Sequence, residues 1–145
     1  MISFSINLDP MPQPRIKARR MGAHIQVYTP ANALVRAYKA SIVEAFAQRA
    51  GEDFVPFKGP LRLSIRFVFE RPAARMSEEA HISKPDIDNL AKAVLDALNK
   101  VAWNDDSQIS QLYLEKAWAD VYLAGKSGRK RFSGPAQICC VLAEL

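Results

Sequence analysis

Two aspartates, Asp86 and Asp88, stand two positions apart where an extended segment gives way to a helix. Pro85 favours extended backbone at the residue before it, and Asp88 or Asn89 is a natural N-cap for the helix. Side chains two positions apart in an extended chain share one side, so we expect both carboxylates to converge in front of the helix N-terminus. Converging carboxylates repel each other unless a cation lies between them. A hard divalent cation such as Mg²⁺, which prefers oxygen ligands, would relieve that repulsion.

Further charged residues lie close to this pair in the sequence. Asp105 and Asp106, in a turn after the helix, offer a third carboxylate, and Lys92 lies one helical turn beyond Asp88. In phosphodiester hydrolysis a bound metal activates a water, and a nearby lysine stabilises the charge on the leaving oxygen. The same residues also have a structural interpretation, as helix caps, turn residues and a surface ion pair of Lys92 with Asp96. The spacing alone leaves both interpretations open.

The hydrophobic pattern predicts the elements that must position these residues. Residues 61 to 69 alternate between apolar and polar, which predicts a half-buried strand with a basic outer face. Residues 71 to 85 show little periodicity and predict a long loop, and an apolar stripe predicts a helix over residues 89 to 101. A turn at residues 103 to 107 then precedes a strand over residues 109 to 122.

The rest of the pattern predicts a further helix, three strands and two basic loops. The helix has Thr29 as its N-cap and Pro30 at its first position, and its apolar face extends to about Ala50. The other elements are a strand over residues 2–8, a basic loop at 15–20, a strand at 25–28, a basic Gly/Ser loop at 125–131 and a strand over 137–143. Together they predict a single α+β domain over residues 1–145, with a mixed sheet packed with two main helices.

Composition and charge narrow the classes of function. The chain has 145 residues, of which 49% are hydrophobic, enough to bury a core without disulfides or a structural metal. Its net charge of +5 arises within residues 1–50, where seven Lys/Arg face two Asp/Glu, and this favours a polyanionic partner. No apolar run can span a bilayer and no secretory leader is evident, so we expect a cytoplasmic protein with no membrane partner. Cys139 and Cys140 are expected to be reduced and to face opposite sides of a strand.

Several other residues have candidate roles. The densest basic run is expected to contact phosphates, and a second one at residues 126–131 offers the same chemistry. The sequence Gly125-Lys126-Ser127 is not a nucleotide-binding loop, because Asp120 stands where that motif needs a glycine. His81 is expected to be exposed rather than to bind zinc. The residues of the densest run are Arg15, Lys17, Arg19 and Arg20.

Four segments with fixed spacing resemble the core signature of the RusA family of Holliday-junction resolvases. A looser similarity, through a proline-rich turn, a basic loop and Val27-Tyr28-Thr29-Pro30, extends it over the whole chain. The resemblance implies a RusA-like fold and a homodimeric endonuclease, dependent on Mg²⁺ or Mn²⁺, that cuts four-way DNA junctions in recombination and repair. The four segments are Lys84-Pro85-Asp86-Ile87-Asp88-Asn89-Leu90, Lys92, Leu95-Asp96-Ala97-Leu98 and Trp103-Asn104-Asp105-Asp106-Ser107-Gln108-Ile109.

The resemblance also implies residue roles. It assigns four catalytic residues, of which the three aspartates also bind the metal: Asp86, Asp88, Asp106 and Lys92. Asp105 remains the alternative third ligand, because the turn is one residue shorter than in a family member. Pro85 stands where that member has an arginine, and we expect Lys84 to make the corresponding DNA contact.

Two other functions stay open at this level. One is a nuclease of the same fold that cuts other branched DNA. The other is a DNA-binding module whose carboxylates are only structural, although negative charge at the centre of a phosphate-binding surface argues against it. A twofold-symmetric dimer with two identical sites suits paired nicks across a junction that is itself nearly twofold.

Overall fold

A four-stranded mixed sheet and two helices on one of its faces form the core of the molecule. The computed structural model describes residues 1–28, 32–125 and 128–145. Its elements in chain order are β1 (Ile2–Ile6), β2 (Lys17–Met21), β3 (His24–Tyr28), α1 (Ala33–Ala50), β4 (Leu61–Phe69), α2 (Ile87–Leu98), β5 (Ile109–Trp118), β6 (Asp120–Gly125), β7 (Gly128–Ser133) and β8 (Gln137–Glu144). The predicted α+β class, with a mixed sheet and two main helices in a single domain, is confirmed.

The sheet has the strand order β1-β8-β4-β5. β4 and β5 are parallel, because α2 returns the chain between them, whereas β8 is antiparallel to both β1 and β4. Alternate residues of β4 are buried, as the pattern of residues 61 to 69 predicts. They join a core with the buried faces of α1 and α2, which includes Ile42, Phe46, Leu90 and Leu98. The crossover places the N-terminus of α2 beside the carboxyl ends of β4 and β5.

The helix boundaries differ from the prediction. α2 begins at Ile87 and ends at Leu98, because Asn99 leaves helical geometry and Lys100 has a positive φ of 67°. Thr29 and Pro30 lie outside the described residues, and the N-cap of α1 is Asn32, whose side chain accepts a hydrogen bond from the Leu34 amide.

Two segments predicted as basic loops are hairpin strands instead. Residues 17–21 pair with residues 24–28, and residues 128–133 pair with β6, so the strand predicted over 109 to 122 is interrupted at Ala119. The strand predicted over residues 25–28 is confirmed as β3, whereas β2 lacks the apolar alternation by which a strand is recognised in sequence; all ten residues of the two strands are exposed. Lys126 lies outside the described residues.

The two adjacent cysteines of β8 agree with their prediction. Cys139 and Cys140 are both free thiols, and Cys140 is buried whereas Cys139 is partly exposed. Burial raises the pKa of the Cys140 thiol to about 12. Within the described residues no helix is long and apolar enough to cross a membrane.

Candidate active site

The N-terminal turn of α2 carries the first two candidate aspartates. Asp86 is the N-cap residue and Asp88 lies in the first helical turn, so the pair is not extended as predicted. The helix begins earlier than expected because Asp86, rather than Asp88 or Asn89, takes the cap position. Both carboxylates still lie at the end of the helix where its dipole favours negative charge. The Asp86 carboxylate makes no capping bond and instead accepts from Arg15, with 3.0 Å between Nη2 and Oδ2.

Lys116, a residue of β5, is hydrogen-bonded to the backbone just before Asp86. Its Nζ donates to the carbonyl oxygens of Ser83 at 2.6 Å and Pro85 at 2.9 Å. The Lys84–Pro85 peptide bond is cis, and Lys84 is exposed beside the site, where it was predicted to contact DNA. Sequence reasoning missed Lys116. The alternation of β5 predicts an apolar residue at position 116, which pairs with buried Phe67. The lysine that stands there instead was the signal for its role.

A buried arginine joins the loop of residues 71–85 to the hairpin of β6 and β7. The Arg71 side chain is fully buried, and its guanidinium donates to both carboxylate oxygens of Asp120, at 2.7 and 2.8 Å. It also donates to the carbonyl oxygens of Arg75 and Glu78. This ion pair holds the pKa of Asp120 below its usual range. The loop that leads to Asp86 is thus tied to the structure at both of its ends.

His81 lies within the same loop and is buried, so its predicted exposure is wrong. Its ring packs between Phe69 and Trp118, tilted against both, with centroid distances of 4.3 and 4.1 Å. Burial lowers the pKa of His81, and the charge of Lys116 lowers it further. The two aromatic residues end adjacent strands, and only the pairing of those strands, which the sequence does not show, creates the slot for the imidazole.

The two aspartates in the turn after α2 have different hydrogen-bond partners. The Asp105 carboxylate caps the short 3₁₀ turn at residues 106–108, accepting from the Ser107 amide at 3.0 Å, and lies 3.6 Å from the Lys100 ammonium. The Ser107 amide bond is the main cause of a lowered pKa at Asp105. Asp106 instead accepts one bond from the Trp103 indole, at 2.8 Å. Because Asp105 is committed to the turn, Asp106 is the better candidate for a third ligand.

The candidate aspartates do not come together within one chain. Asp86 and Asp88 lie at the N-terminal end of α2, whereas Asp106 follows its C-terminal end, and a 12-residue helix is about 18 Å long. Among the described residues no group of three or more acidic, histidine or cysteine side chains is placed to hold a metal ion. Lys92 lies on the exposed face of α2 and donates to Asp96 at 3.3 Å, as its spacing predicts.

The predicted DNA-contacting residues occupy two places. Lys17, Arg19 and Arg20 are exposed on β2, where Arg19 donates to Gln26 at 2.8 Å and its guanidinium lies over the Tyr28 ring. Arg15 lies beside the candidate site and pairs with its carboxylate. In the second basic hairpin, Arg131 is held by Glu79 and nearby backbone carbonyls, whereas Arg129 and Lys130 are exposed.

A cleft of about 760 Å³ opens directly beside Asp86. Its walls come from the proline-rich segment 10–15, the start of α1 and residues 84–89. The Gln13 amide donates to the Asn89 carbonyl at 3.0 Å, which joins the proline-rich segment to the first turn of α2.

Comparison with known proteins identifies a family of nucleases. The family model described as Endodeoxyribonuclease RusA matches residues 7–123. The chain therefore belongs to the RusA endodeoxyribonuclease family, as the resemblance of its signature segments predicted, and membership implies an endonuclease that resolves Holliday junctions. The chain is also similar to the uncharacterized protein YqaN of Bacillus subtilis (strain 168), with 25% identity over 130 residues, which cover 82% of this chain and 89% of that protein.

Proposed function

We propose that this protein is a divalent-cation-dependent endonuclease that resolves four-way DNA junctions as a homodimer, in recombination and repair. The observation that carries the proposal is the pair of exposed carboxylates at the N-terminus of α2, within a chain of the RusA family. Around them lie cationic side chains of the kind that bind phosphates, Arg15 and Lys84 beside the site and the basic residues of β2.

The chemistry of the donors fits Mg²⁺, or Mn²⁺ in its place. Asp86 and Asp88 offer hard oxygen ligands, and Mg²⁺ is commonly bound by one or two carboxylates together with waters and substrate phosphate. When bound, the metal would lower the pKa of a water and neutralise charge on the phosphate oxygens. Lys92, one turn along the helix from Asp88, would place a positive charge near the leaving oxygen, and Arg15 would orient the DNA strand.

A second copy of the chain would supply the third carboxylate. Asp106 lies about one helix length from Asp86, and the helix between them is part of the packed core, so no local movement joins them in one chain. In a twofold dimer that packs the N-terminal end of one α2 near the C-terminal end of its mate, each site would combine Asp86 and Asp88 of one copy with Asp106 of the other. Two such sites are related by symmetry, as paired nicks require.

A mixture of two inactive variants tests this arrangement. Asp86→Asn and Asp106→Asn should each lack cleavage of a synthetic four-way junction in Mg²⁺. When the two are co-expressed and the heterodimer is purified with two affinity tags, one site is doubly altered and the other is intact, so nicking of a single strand should return. An inactive heterodimer would contradict the shared site while leaving the nuclease function in place.

The function itself has a separate test. Wild-type protein should nick four-way junctions at symmetric positions in Mg²⁺ or Mn²⁺ and not with chelator present, and should cut flapped or linear duplexes more slowly. Absence of junction nicking under all metal conditions, or equal cutting of every branched DNA, would overturn the proposal.

A further inference from the structure

The cleft beside Asp86 has the composition of a binding pocket for a largely apolar group with some polar atoms. Apolar side chains form most of its walls, among them Met11, Pro14, Val35 and Pro85. Ligand pockets in proteins are mostly apolar, with a few polar groups that fix the orientation of the ligand. The cleft volume of about 760 Å³ lies within the usual range for such sites.

Gln13 lines this cleft with a polar side-chain amide. Its side-chain oxygen, Oε1, is buried and has no hydrogen-bond partner among the described residues. An acceptor without a partner costs free energy, and the Gln13 side chain, which is partly exposed as a whole, would recover it by turning its amide towards an N–H donor in the cleft. Because the Gln13 backbone amide is bonded to Asn89, the side chain is presented from a segment already fixed against α2.

The position of the cleft limits what can occupy it. Asp86 lies on its rim, so an occupant is a close neighbour of the phosphate on which the candidate site acts. Arg15 and Lys84, also on the rim, are cations suited to the phosphates on either side of that occupant. In a DNA strand, each phosphate has a nucleobase as a neighbour. A nucleobase has apolar faces and N–H donors on its edge, so it matches this cleft.

We propose that this cleft accepts the unstacked base of the nucleotide next to the cut phosphate, and that Gln13 reads the edge of that base. The inference rests on the proposed nuclease function and adds a determinant of sequence preference to it. Removing a base from its stack costs least where stacking is already incomplete, as at a branch point. The pocket would therefore favour cutting at the branch and discriminate among bases there by hydrogen bonding.

Base-substituted junctions test the inference. Four junctions that differ only in the base next to the cut phosphate should be cleaved by wild type with single-turnover rates that span about tenfold or more. Gln13→Leu should compress that range to within about threefold, and Gln13→Glu, which keeps an acceptor but loses the amide donor, should change the order of preference. Gln48→Leu, at an exposed position of α1, is the matched control and should keep the wild-type range.

A binding measurement separates the pocket from the chemistry. In the absence of Mg²⁺, 2-aminopurine at the same position should gain fluorescence when wild type binds, because the base leaves its stack, and should gain less with Gln13→Leu of equal thermal stability. No gain with wild type, or an unchanged range of rates in Gln13→Leu, would overturn the inference. If the fluorescence rises but no junction is ever cut, the proposed nuclease function fails and the base pocket stands.

Discussion

The two ends of α2 hold their acidic groups by different means. At the N-terminal end the partners come from far along the chain, since Arg15 reaches Asp86 across 71 positions and Lys116 reaches the Pro85 carbonyl across 31. At the C-terminal end the partners of Asp105 and Asp106 are all within five positions. Contacts from nearby residues hold the two carboxylates of the second end, while Gln108 also ties the turn itself to the carbonyl oxygens of Phe57 and Gly59. The first end depends on the tertiary structure, and its exposed ion pair is weak enough to yield to a substrate.

The largest expected effect comes from removing a carboxylate at either end of α2, in two separate variants. Asp88→Asn and Asp106→Asn should each lower single-turnover junction cleavage at least about 100-fold, because each removes a charge on which the site depends. Junction binding, measured by gel shift, should be unchanged or tighter, since negative charge leaves the DNA path. Asp105→Asn is the matched control, because asparagine is an equally good N-cap. A loss of activity in Asp105→Asn with full activity in Asp106→Asn would reverse our choice of third ligand.

A substitution of Lys116 tests whether contacts from residues far along the chain hold the N-terminal end of α2 in place. Lys116→Met removes two charge-assisted hydrogen bonds to carbonyl oxygens, so the free energy of unfolding in urea should fall by about 2 kcal/mol. Cleavage should fall too, with a raised Mg²⁺ requirement, because the backbone before Asp86 is released. Lys130→Met, at an exposed position of β7, is the control for stability and should leave the free energy of unfolding unchanged. Wild-type stability in Lys116→Met would mean that the loop holds its shape by other contacts.

A substitution of Arg15 tests the exposed ion pair with Asp86 at the N-terminal end of α2. Arg15→Ala should weaken junction binding about equally across DNA sequences and lower the slope of log affinity against log salt concentration by about one. It should also tighten Mg²⁺ binding measured by calorimetry without DNA, because a competing cation leaves the Asp86 carboxylate. Arg49→Ala, at the far end of α1, serves as control. Weaker Mg²⁺ binding in Arg15→Ala would show that the arginine supports the metal site rather than competing for it.

The smallest expected effect is the pH dependence that His81 confers on stability. Because its pKa is lower in the folded state than the usual value of about 6.5, the unfolded chain binds more protons below that value. The melting temperature should therefore fall as the pH decreases from about 6.5 towards the lowered pKa. His81→Phe should flatten the profile in that range, and the exposed His24→Gln should not. Profiles that coincide for wild type and His81→Phe would contradict a neutral buried imidazole.

Sequence reasoning predicted the local features of this molecule better than the distant ones. The alternation over residues 61 to 69 located β4, and the spacing of Lys92 and Asp96 placed both on one face of α2. The loop predicted where β2 lies was wrong, because no apolar alternation marks residues 17–21, whereas the strand predicted at 25–28 is confirmed as β3. For the candidate site, the sequence predicted a set of acidic residues, but not the distance between Asp86 and Asp106, which depends on the direction of a crossover helix.

The order of strands in the sheet has a consequence for biosynthesis. β8 lies between β1 and β4, although it follows every other described strand along the chain. A ribosome therefore exposes β1, β4 and both helices before it makes the strand that joins them. Until then the apolar faces of these elements lack their central partner and are open to association with other chains. The sheet of this domain is completed only once residues 137–144 have emerged.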